Sequence, residues 1–422
     1  MTEEQKKLGR RNFIKAVAAI PPAGALVWKA SSMTPIRAGI IGTGSQGRVL
    51  MENAPPSHIR LSGVCDIYPK NLEKGLKIAR ERFDPQAESY TDYRKLLERK
   101  DLEAVLIATP MWQHEPMAIE ALQAGKHTFS EKAMAHSIEG CRRMIDAAHS
   151  ARRTLQIGHH RNYNPLYQEA YQLIKGGVIG DVYHVRALWH RNKSWRRKLP
   201  KDFDPTPWGY ANLDEYKNWR LYRKFGHGLM GELGSHQIQV VNWFSGSLPH
   251  SVYGSGGIYH YKDGREAEDH VYLIYEYPDG LTFTYSSIQT NSHDHYYEQF
   301  MGTKGTILLS GEREAMLFSE GGEAAATELA AAPMGEGPVM EASESRANDA
   351  SGSTVGGTSS GMATALRGYQ NELAGFGRII RHGAENMSDG PMAMNVVIPM
   401  IKGNESIAKG EKLEIPKELY WM

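Results

Sequence analysis

Two rhythms of apolar residues divide the chain. Between residues 33 and 155, short unbroken apolar runs alternate with stretches of helical period; from Asp181 onward, apolar and polar residues alternate at every second position. The first rhythm predicts buried strands at 36–41, 59–66, 104–108 and 127–130. Helices are predicted from Gln46 towards Asn53, over 71–83, 91–100 and 116–124 with Gly125 as a stop, and over 137–151 behind a serine start. Strands alternating with helices imply a doubly wound parallel sheet, which binds ligands at the C-terminal ends of its strands. Thr109-Pro110 and Glu131-Lys132 fall at such ends.

The second rhythm predicts strands in VYHVRALWH (182–190), VYLIYEY (271–277) and LTFTYSSIQ (281–289), the last two joined by the turn Pro278-Asp279-Gly280. A further hairpin runs from Tyr297 through Gly302-Thr303-Lys304-Gly305 to Leu309. Consecutive hairpins build an antiparallel sheet that needs cover on one face. Residues 320–363 are rich in Gly, Ala, Ser and Glu with few aliphatics; such a stretch buries too little to offset its ordering and is expected to be a mobile insertion. Helical patterns resume near Ala365 and over 392–403. The expected organisation is a leader (1–32), a Rossmann domain (33–155), an open-sheet α+β domain (156–319), the insertion (320–363) and C-terminal helices (364–422) packing back on both domains.

A chain of 422 residues can build two such cores. Lys plus Arg is 49 and Asp plus Glu is 48, a balance that offers no field for nucleic acid or anionic lipid. The two cysteines, Cys65 and Cys141, lie in predicted core segments, which excludes a disulfide scaffold and disfavours a thiol-based metal site. His293-Asp294-His295 pairs two histidines without a third partner, so no metal is expected. No run approaches the roughly 20 apolar residues of a membrane-spanning helix.

Candidate chemistry begins after the first strand. Gly42, Gly44 and Gly47, with Thr43, Ser45 and Gln46 between them, have GxGxxG spacing and lead into a helix. The first glycine permits a tight turn, the second admits a pyrophosphate, and the third lets helix pack on strand. Backbone N–H groups at the helix start then face the phosphates. The second strand ends in Asp66, placed to accept ribose hydroxyls and to repel a 2′-phosphate, which favours NAD over NADP; Lys70 nearby tempers that preference without reversing it.

The runs TGSQG, CDIYPKNLEK, ATPMWQHEPMAIEALQAGKHTFSEKAMAHS and GELGSHQIQVVNWFSG resemble the glucose–fructose oxidoreductase, inositol dehydrogenase and rhizopine-catabolism (Gfo/Idh/MocA) family over about residues 35–310. The resemblance implies two-domain NAD(P)-dependent proteins acting on sugars and cyclitols, whose second domain, an open mixed sheet, shields the nicotinamide and forms homo-oligomer contacts. It implies cofactor contacts from Thr109, Pro110, His114, Glu131 and Lys132, besides the glycine turn and Asp66. It also implies that Lys132 bonds the reacting oxygen, with Glu232 and His236 completing the site. Glu232 stands where the family has Asp, and Ala133 where it has Pro, so neither the carboxylate's reach nor the peptide geometry after Lys132 is assured. Independently, Glu232 and His236 are four apart on a helical pattern and share a face, and a histidine suits a general base near neutral pH. In GHHRNYNP, between a strand and a helix, His160, Arg161 and Tyr163 are candidate substrate contacts, as is Arg191 in WHRNKSWRR. That segment and NWRLYRKFGH mix Trp, Arg and His in a manner that suits a sugar.

Lys6, Lys7, Arg10 and Arg11 precede a short apolar stretch, and RRNFIK resembles a twin-arginine export motif. An exported protein has no free pool of dinucleotide around it. Twin-arginine export carries folded proteins, so the expectation is an exported, periplasmic protein with tightly held NAD, and a held cofactor favours redox-neutral turnover. The leading reading is an oxidoreductase moving hydride between that cofactor and a secondary hydroxyl of a sugar or cyclitol. An NAD-dependent glycosidase working by oxidation, elimination, hydration and reduction is the alternative, and a sugar-binding protein without turnover is the third. Expected partners are a carbohydrate or glycoside, the twin-arginine machinery and further copies of the chain.

Overall fold

The computed structural model describes residues 1–19, 34–320 and 359–421, with side chains in the last segment from Arg367 onward. Nearly all of the predicted insertion therefore lies outside the described residues. The chain begins with α1 (Glu3–Ala19). The unbroken apolar runs then become a sheet of six parallel strands: β1 (Ile36–Ile41), β2 (Ile59–Cys65), β3 (Glu88–Tyr90), β4 (Ala104–Ile107), β5 (His127–Glu131) and β6 (Leu155–Gly158), in the order β3-β2-β1-β4-β5-β6. Between them run α2 (Ser45–Asn53), α3 (Pro69–Arg82), α4 (Tyr93–Leu97), α5 (His114–Gln123) and α6 (Ile138–Ala151). The strand order reverses between β1 and β4, and the crevice at that reversal is where doubly wound sheets bind dinucleotides.

α3 and α4 depart from their sequence patterns for local reasons. Pro69 fits the first turn of α3, where its missing N–H costs nothing, so the helix starts before residue 71. α4 starts behind Asp92, whose side chain accepts from the Arg94 N–H, and stops at Leu97 instead of reaching Lys100. Beyond it, Lys126 Nζ donates to the Arg99 and Leu102 carbonyls at 2.6 and 2.9 Å.

After α7 (Pro165–Lys175), the period-two segments form a second, eight-stranded sheet. Its strands are β7 (Val182–His190), β8 (Ser251–Gly257), β9 (His270–Glu276), β10 (Thr282–Ile288), β11 (Tyr296–Gly302), β12 (Gly305–Ser310), β13 (Glu314–Ser319) and β14 (Leu413–Glu414). Helices α8 (Leu213–Lys217), α9 (Ser235–Ser245), α10 (Ser359–His382) and α11 (Gly390–Lys409) complete the fold. The order is β13-β12-β11-β7-β10-β9-β8-β14, and β7 runs parallel to β10 but antiparallel to β11, so the sheet is mixed. The hairpin between β9 and β10 turns through Asp279 and Gly280, both at positive φ. β8 escapes the pattern because it is glycine-rich; at Gly254 a side chain would meet Ile407 of α11 at 2.7 Å.

The C-terminal helices divide their packing. Tyr369, Leu373 and Phe376 of α10 join Ile36, Ile40 and Leu61 in one core cluster of the first sheet, whereas α11 lies against β8, α6 and α9. Cys65 and Cys141 are buried free thiols. The sequence reading sets residues 1–32 apart from the fold, yet α1 packs on β13, burying Phe13. Residues 20–33 lie outside the described residues. Among the described residues, no helix is long and apolar enough to cross a membrane.

Candidate active site

The glycine turn after β1 opens the site. Gly42 adopts φ +90°, a conformation that favours glycine. A Cβ on Gly47 would fall 1.9 Å from the Gly42 carbonyl oxygen, so that glycine lets α2 close on the turn. Gly44 differs: a Cβ there would meet nothing nearer than Asn71 Nδ2 at 3.8 Å. Its backbone borders a cavity of about 690 Å³ that runs between the two lobes. Every cofactor contact expected from the sequence lines this cavity except Thr43 and Gly47. Thr43 turns inward instead. Its N–H donates to Asp66 Oδ2 at 2.8 Å and its hydroxyl to the Asn71 carbonyl at 2.9 Å, while Asp66 Oδ1 accepts from the Tyr68 N–H at 2.8 Å. Burial raises the pKa of Asp66, and these donors hold the rise back. The residues present thus fit NAD: a glycine cradle, a helix N-terminus and a carboxylate at the ribose position.

At the far end of the crevice, the ends of β4 and β5 are tied together. His114 lies between the Ala133 and Thr109 carbonyls, each 2.9 Å from a ring nitrogen; burial lowers its pKa, and the neutral ring donates to one of them. Glu131 accepts from Gln46 Nε2 at 2.8 Å, and burial pushes its carboxyl up. The Lys132–Ala133 peptide is cis, although alanine occupies the position where the family has proline. Lys132 reaches across to the second lobe, where its Nζ donates to the carbonyls of Glu232 at 2.9 Å and Gly231 at 3.4 Å. Those carbonyls belong to a π-helical turn, Met230–Gly234, that leads into α9. Such turns displace backbone groups and recur at functional sites. Burial lowers the Lys132 pKa, against the pull of Glu232 and Glu131.

The π-turn also corrects an expectation. With i→i+5 bonding, residues four apart no longer stack on one face. Glu232 lines the cavity, but His236 is not among the lining residues and is 1% exposed. Its ring lies 5.4 Å from that of His160 and 5.7 Å from that of Trp189, and its Nε2 has no hydrogen-bond partner among the described residues. Burial and the cations of Lys132 and Arg161 hold it well below the usual histidine range, so it is neutral. Glu232 Oε2 accepts from Arg220 Nε at 2.7 Å. Burial raises this carboxyl, but Arg220, Lys132 and Arg197 together outweigh it and lower its pKa.

The expected substrate contacts turn inward. His160 Nε2 meets Glu312 at 2.8 Å and its ring stacks on Tyr369; Arg161, wholly buried, binds Glu298 at 2.5 Å and Glu312 at 2.8 Å. Tyr163 is buried against α10, and Arg191 lies over the Trp189 and Trp195 rings. None of the four is among the residues lining the cavity. In their place stands a strap from the second lobe. Arg197, Trp219 and Arg220 come from the Trp- and Arg-rich segments noted in the sequence, whereas Trp208, Tyr210 and Tyr216 come from a segment without period. The strap grips the first lobe through rings: Phe203 lies 5.2 Å from Tyr68, and Tyr210 and Phe225 lie 5.7 and 5.4 Å from Trp112. Aromatic density in DFDPTPWGYANLDEY was the signal available for it. Among the described residues, no group of three or more His, Cys, Asp or Glu could hold a metal ion.

Comparison with known proteins agrees with this architecture. A model of the Gfo/Idh/MocA oxidoreductase family, NAD-binding Rossmann fold, matches residues 36–159, and one of the Gfo/Idh/MocA C-terminal domain matches residues 167–308. Curated relatives include a glycosyl hydrolase family 109 protein of Shewanella baltica (strain OS195), 31% identical over 193 residues, covering 44% of this chain and 42% of the relative. Another, glycosyl hydrolase family 109 protein 1 of Shewanella sp. (strain ANA-3), is 28% identical over 218 residues, 45% of this chain and 47% of its own. The chain thus matches less than half the length of these relatives. Among solved structures, a levoglucosan dehydrogenase in complex with NADH and levoglucosan aligns over 91% of this chain and 100% of its own, with TM-score 0.69 and 19% identity. A scyllo-inositol dehydrogenase from Lactobacillus casei with NAD(H) and scyllo-inositol aligns over 90% and 99%, with TM-score 0.68 and 18% identity. At such identity the likeness is one of fold. With both family models matched in sequence and both sheets in place, the chain belongs to the Gfo/Idh/MocA family of oxidoreductases.

Proposed function

We propose that the chain holds NAD in the crevice between its lobes and moves hydride between it and a secondary hydroxyl, or the matching ketone, of a sugar or cyclitol. The observation that carries this reading is Lys132, which lines the cavity from the first lobe while two carbonyls of the second lobe orient its amine. Bound NAD would accept hydride from the carbon that bears the hydroxyl. As that oxygen loses its proton, Lys132 is the adjacent group to receive it, and burial lowers its pKa from the usual lysine value. Glu232, kept ionised by Arg220, can accept from a neighbouring hydroxyl, and Trp208, Tyr210 and Trp219 offer faces for sugar C–H groups. His236, buried and absent from the cavity lining, is left out of the substrate contacts.

The twin-arginine resemblance supports export to the periplasm, and the strap clamped on Tyr68 and Trp112 supports slow release of the cofactor. A retained cofactor must recover its starting state within each turnover. The names of the family 109 relatives favour a second reading of the same site, in which transient oxidation of the sugar permits elimination of an aglycone before water adds and hydride returns. Tyr253, Tyr272 and Ile274, exposed on the outer face of the second sheet, support self-association there.

The deciding experiment incubates purified protein with chromogenic glycosides and free sugars. Aglycone release without NADH build-up selects the glycosidase; steady NADH absorbance selects the dehydrogenase. Sugars that raise thermal stability without either signal would leave a binding protein. NAD should accompany the protein through gel filtration, and folded protein emerging without it would refute retention.

A further inference from the structure

The last long strand of the second sheet carries a buried carboxylate whose partner comes from the other end of the chain. Glu314 of β13 is 1% exposed; its Oε1 accepts from Arg10 Nη2 at 2.5 Å, and its Oε2 has no hydrogen-bond partner among the described residues. Burial raises its pKa, and its strongest cationic neighbours, Arg10 and Lys6, both sit on α1. Asn12 Nδ2 donates to the Leu317 carbonyl at 3.2 Å. Phe13 is 3% exposed and belongs to the main core cluster, and Gly9 lies against Phe318, where a Cβ would come within 2.6 Å of the ring. Leu8, Arg11, Ile14 and Lys15 face outward.

We propose that the arginine-pair helix is an integral element of the second lobe, so that folding conceals Arg10, Asn12 and Phe13, and any receptor for RRNFIK competes with the lobe for them. The physical reason is asymmetry. Leaving the seat would strand Glu314 without its cation and uncover Met316 and Phe318, whereas a free leader of this composition would lose little by staying in water. The helix is therefore retained in the folded protein, and an export receptor must read it before β13 is in place or pull it off. This inference is independent of the reaction assigned to the crevice.

Thermolysin, which cuts before Leu8, Phe13 and Ile14, tests it on full-length folded protein, with cleavage followed by mass spectrometry. These bonds should be cut about a hundredfold more slowly than in a peptide of residues 1–19, because cleavage follows the population of the undocked helix. Cleavage as fast as the peptide's overturns the proposal. Arg10→Glu should accelerate cleavage at least about tenfold, and adding Glu314→Arg should restore protection. Phe13→Asp leaves β13 untouched and should give the same acceleration even if the reversed pair fails to fold; no acceleration in Phe13→Asp also overturns it. The competition has its own readout, since Glu314→Gln leaves the motif intact. Capture of this folded variant by detergent-solubilised twin-arginine receptor complex should exceed wild type about tenfold, and equal capture of the two rejects masking.

Discussion

β5 and β6 lie side by side in the first sheet, with Glu131 opposite Gly158, and each delivers a polar cluster at its C-terminal end. The two clusters meet opposite fates. Glu131 and Lys132 border the cavity, whereas His160 and Arg161 are buried under carboxylates 137 to 152 residues away, Glu298 and Glu312 of the second sheet's hairpins. Position at a strand end thus supplies the opportunity for a site, and the second lobe decides which end stays open. A charged cluster that finds partners within its own chain becomes part of the framework; one that finds two carbonyls and an empty volume is left with chemistry to do.

The sharpest way to break this contrast is Lys132→Ala. If the open cluster is the chemical one, turnover on whichever sugar proves active should fall roughly 10²–10⁴-fold, the range for removing a positioned acid or base. Retained NAD, followed by its absorbance after gel filtration, should be little changed. Turnover within a factor of two of wild type would move the chemistry elsewhere.

The closed cluster should answer in stability instead. Glu312→Ala leaves His160 without its carboxylate and Arg161 with Glu298 alone, and should cost about 3–5 kcal/mol in chemical denaturation, the cost of breaking a buried pair. NAD affinity should stay within a few-fold. The same carboxyl sets an acid limit. Burial raises its pKa, but His160 and Arg161 outweigh that and bring it from 4.5 to about 2. A carboxyl depressed in the folded state contributes stability that is complete above its unfolded pKa and disappears as pH falls through the folded value. Melting temperature should therefore decline between about pH 4.5 and 2 in wild type, and more shallowly in Glu312→Gln. Parallel declines in the two proteins would remove Glu312 from the acid response.

The same contrast explains what could be read beforehand. The glycine turn, Asp66 and Lys132 are legible because their chemistry is local: each acts through backbone or side chain within a few residues of a strand end that an apolar run marks. The burial of His160 and Arg161 is settled by β11 and by the turn before β13, far along the chain, and no local spacing records it. The case of His236 is subtler, since its face was assigned by a four-residue period that the π-turn at Met230–Gly234 breaks. The part of the strap over residues 202–216 was missed for the opposite reason. Its rings meet the other lobe's Tyr68 and Trp112, and its regular pieces, Thr206–Trp208 and α8, are too short to show a period. α1 was set aside because its composition resembles a leader, whereas its seat is made by Glu314, Met316 and Phe318 some 300 residues later.

Asp66 offers a smaller effect within the open region. Asp66→Ala removes the acceptor for ribose hydroxyls and should weaken NAD roughly ten- to a hundredfold, in line with about 1.5–3 kcal/mol for hydrogen bonds to a charged group. NADP should lose less, because the same change removes a charge that repels its 2′-phosphate. Titration calorimetry with both nucleotides separates the cases; equal losses would reduce Asp66 to a brace for the Thr43 and Tyr68 amides.

The gentlest change gives the finest test. Gly44 has a negative φ of −61°, and a Cβ there would meet only Asn71 Nδ2 at 3.8 Å, an ordinary contact, so Gly44→Ala should keep stability within about 0.5 kcal/mol. Gly47→Ala is its contrast, since a side chain 1.9 Å from the Gly42 carbonyl forces α2 away from the turn and should lower the melting temperature visibly. If the space beside Gly44 belongs to a pyrophosphate, the alanine methyl occupies it, and NAD should bind about tenfold more weakly to a protein that melts like wild type. That pairing of unchanged stability with lost affinity is what an open cluster predicts and a filled one cannot produce. An unchanged Kd for Gly44→Ala would mean that the cofactor's phosphates lie elsewhere in the crevice.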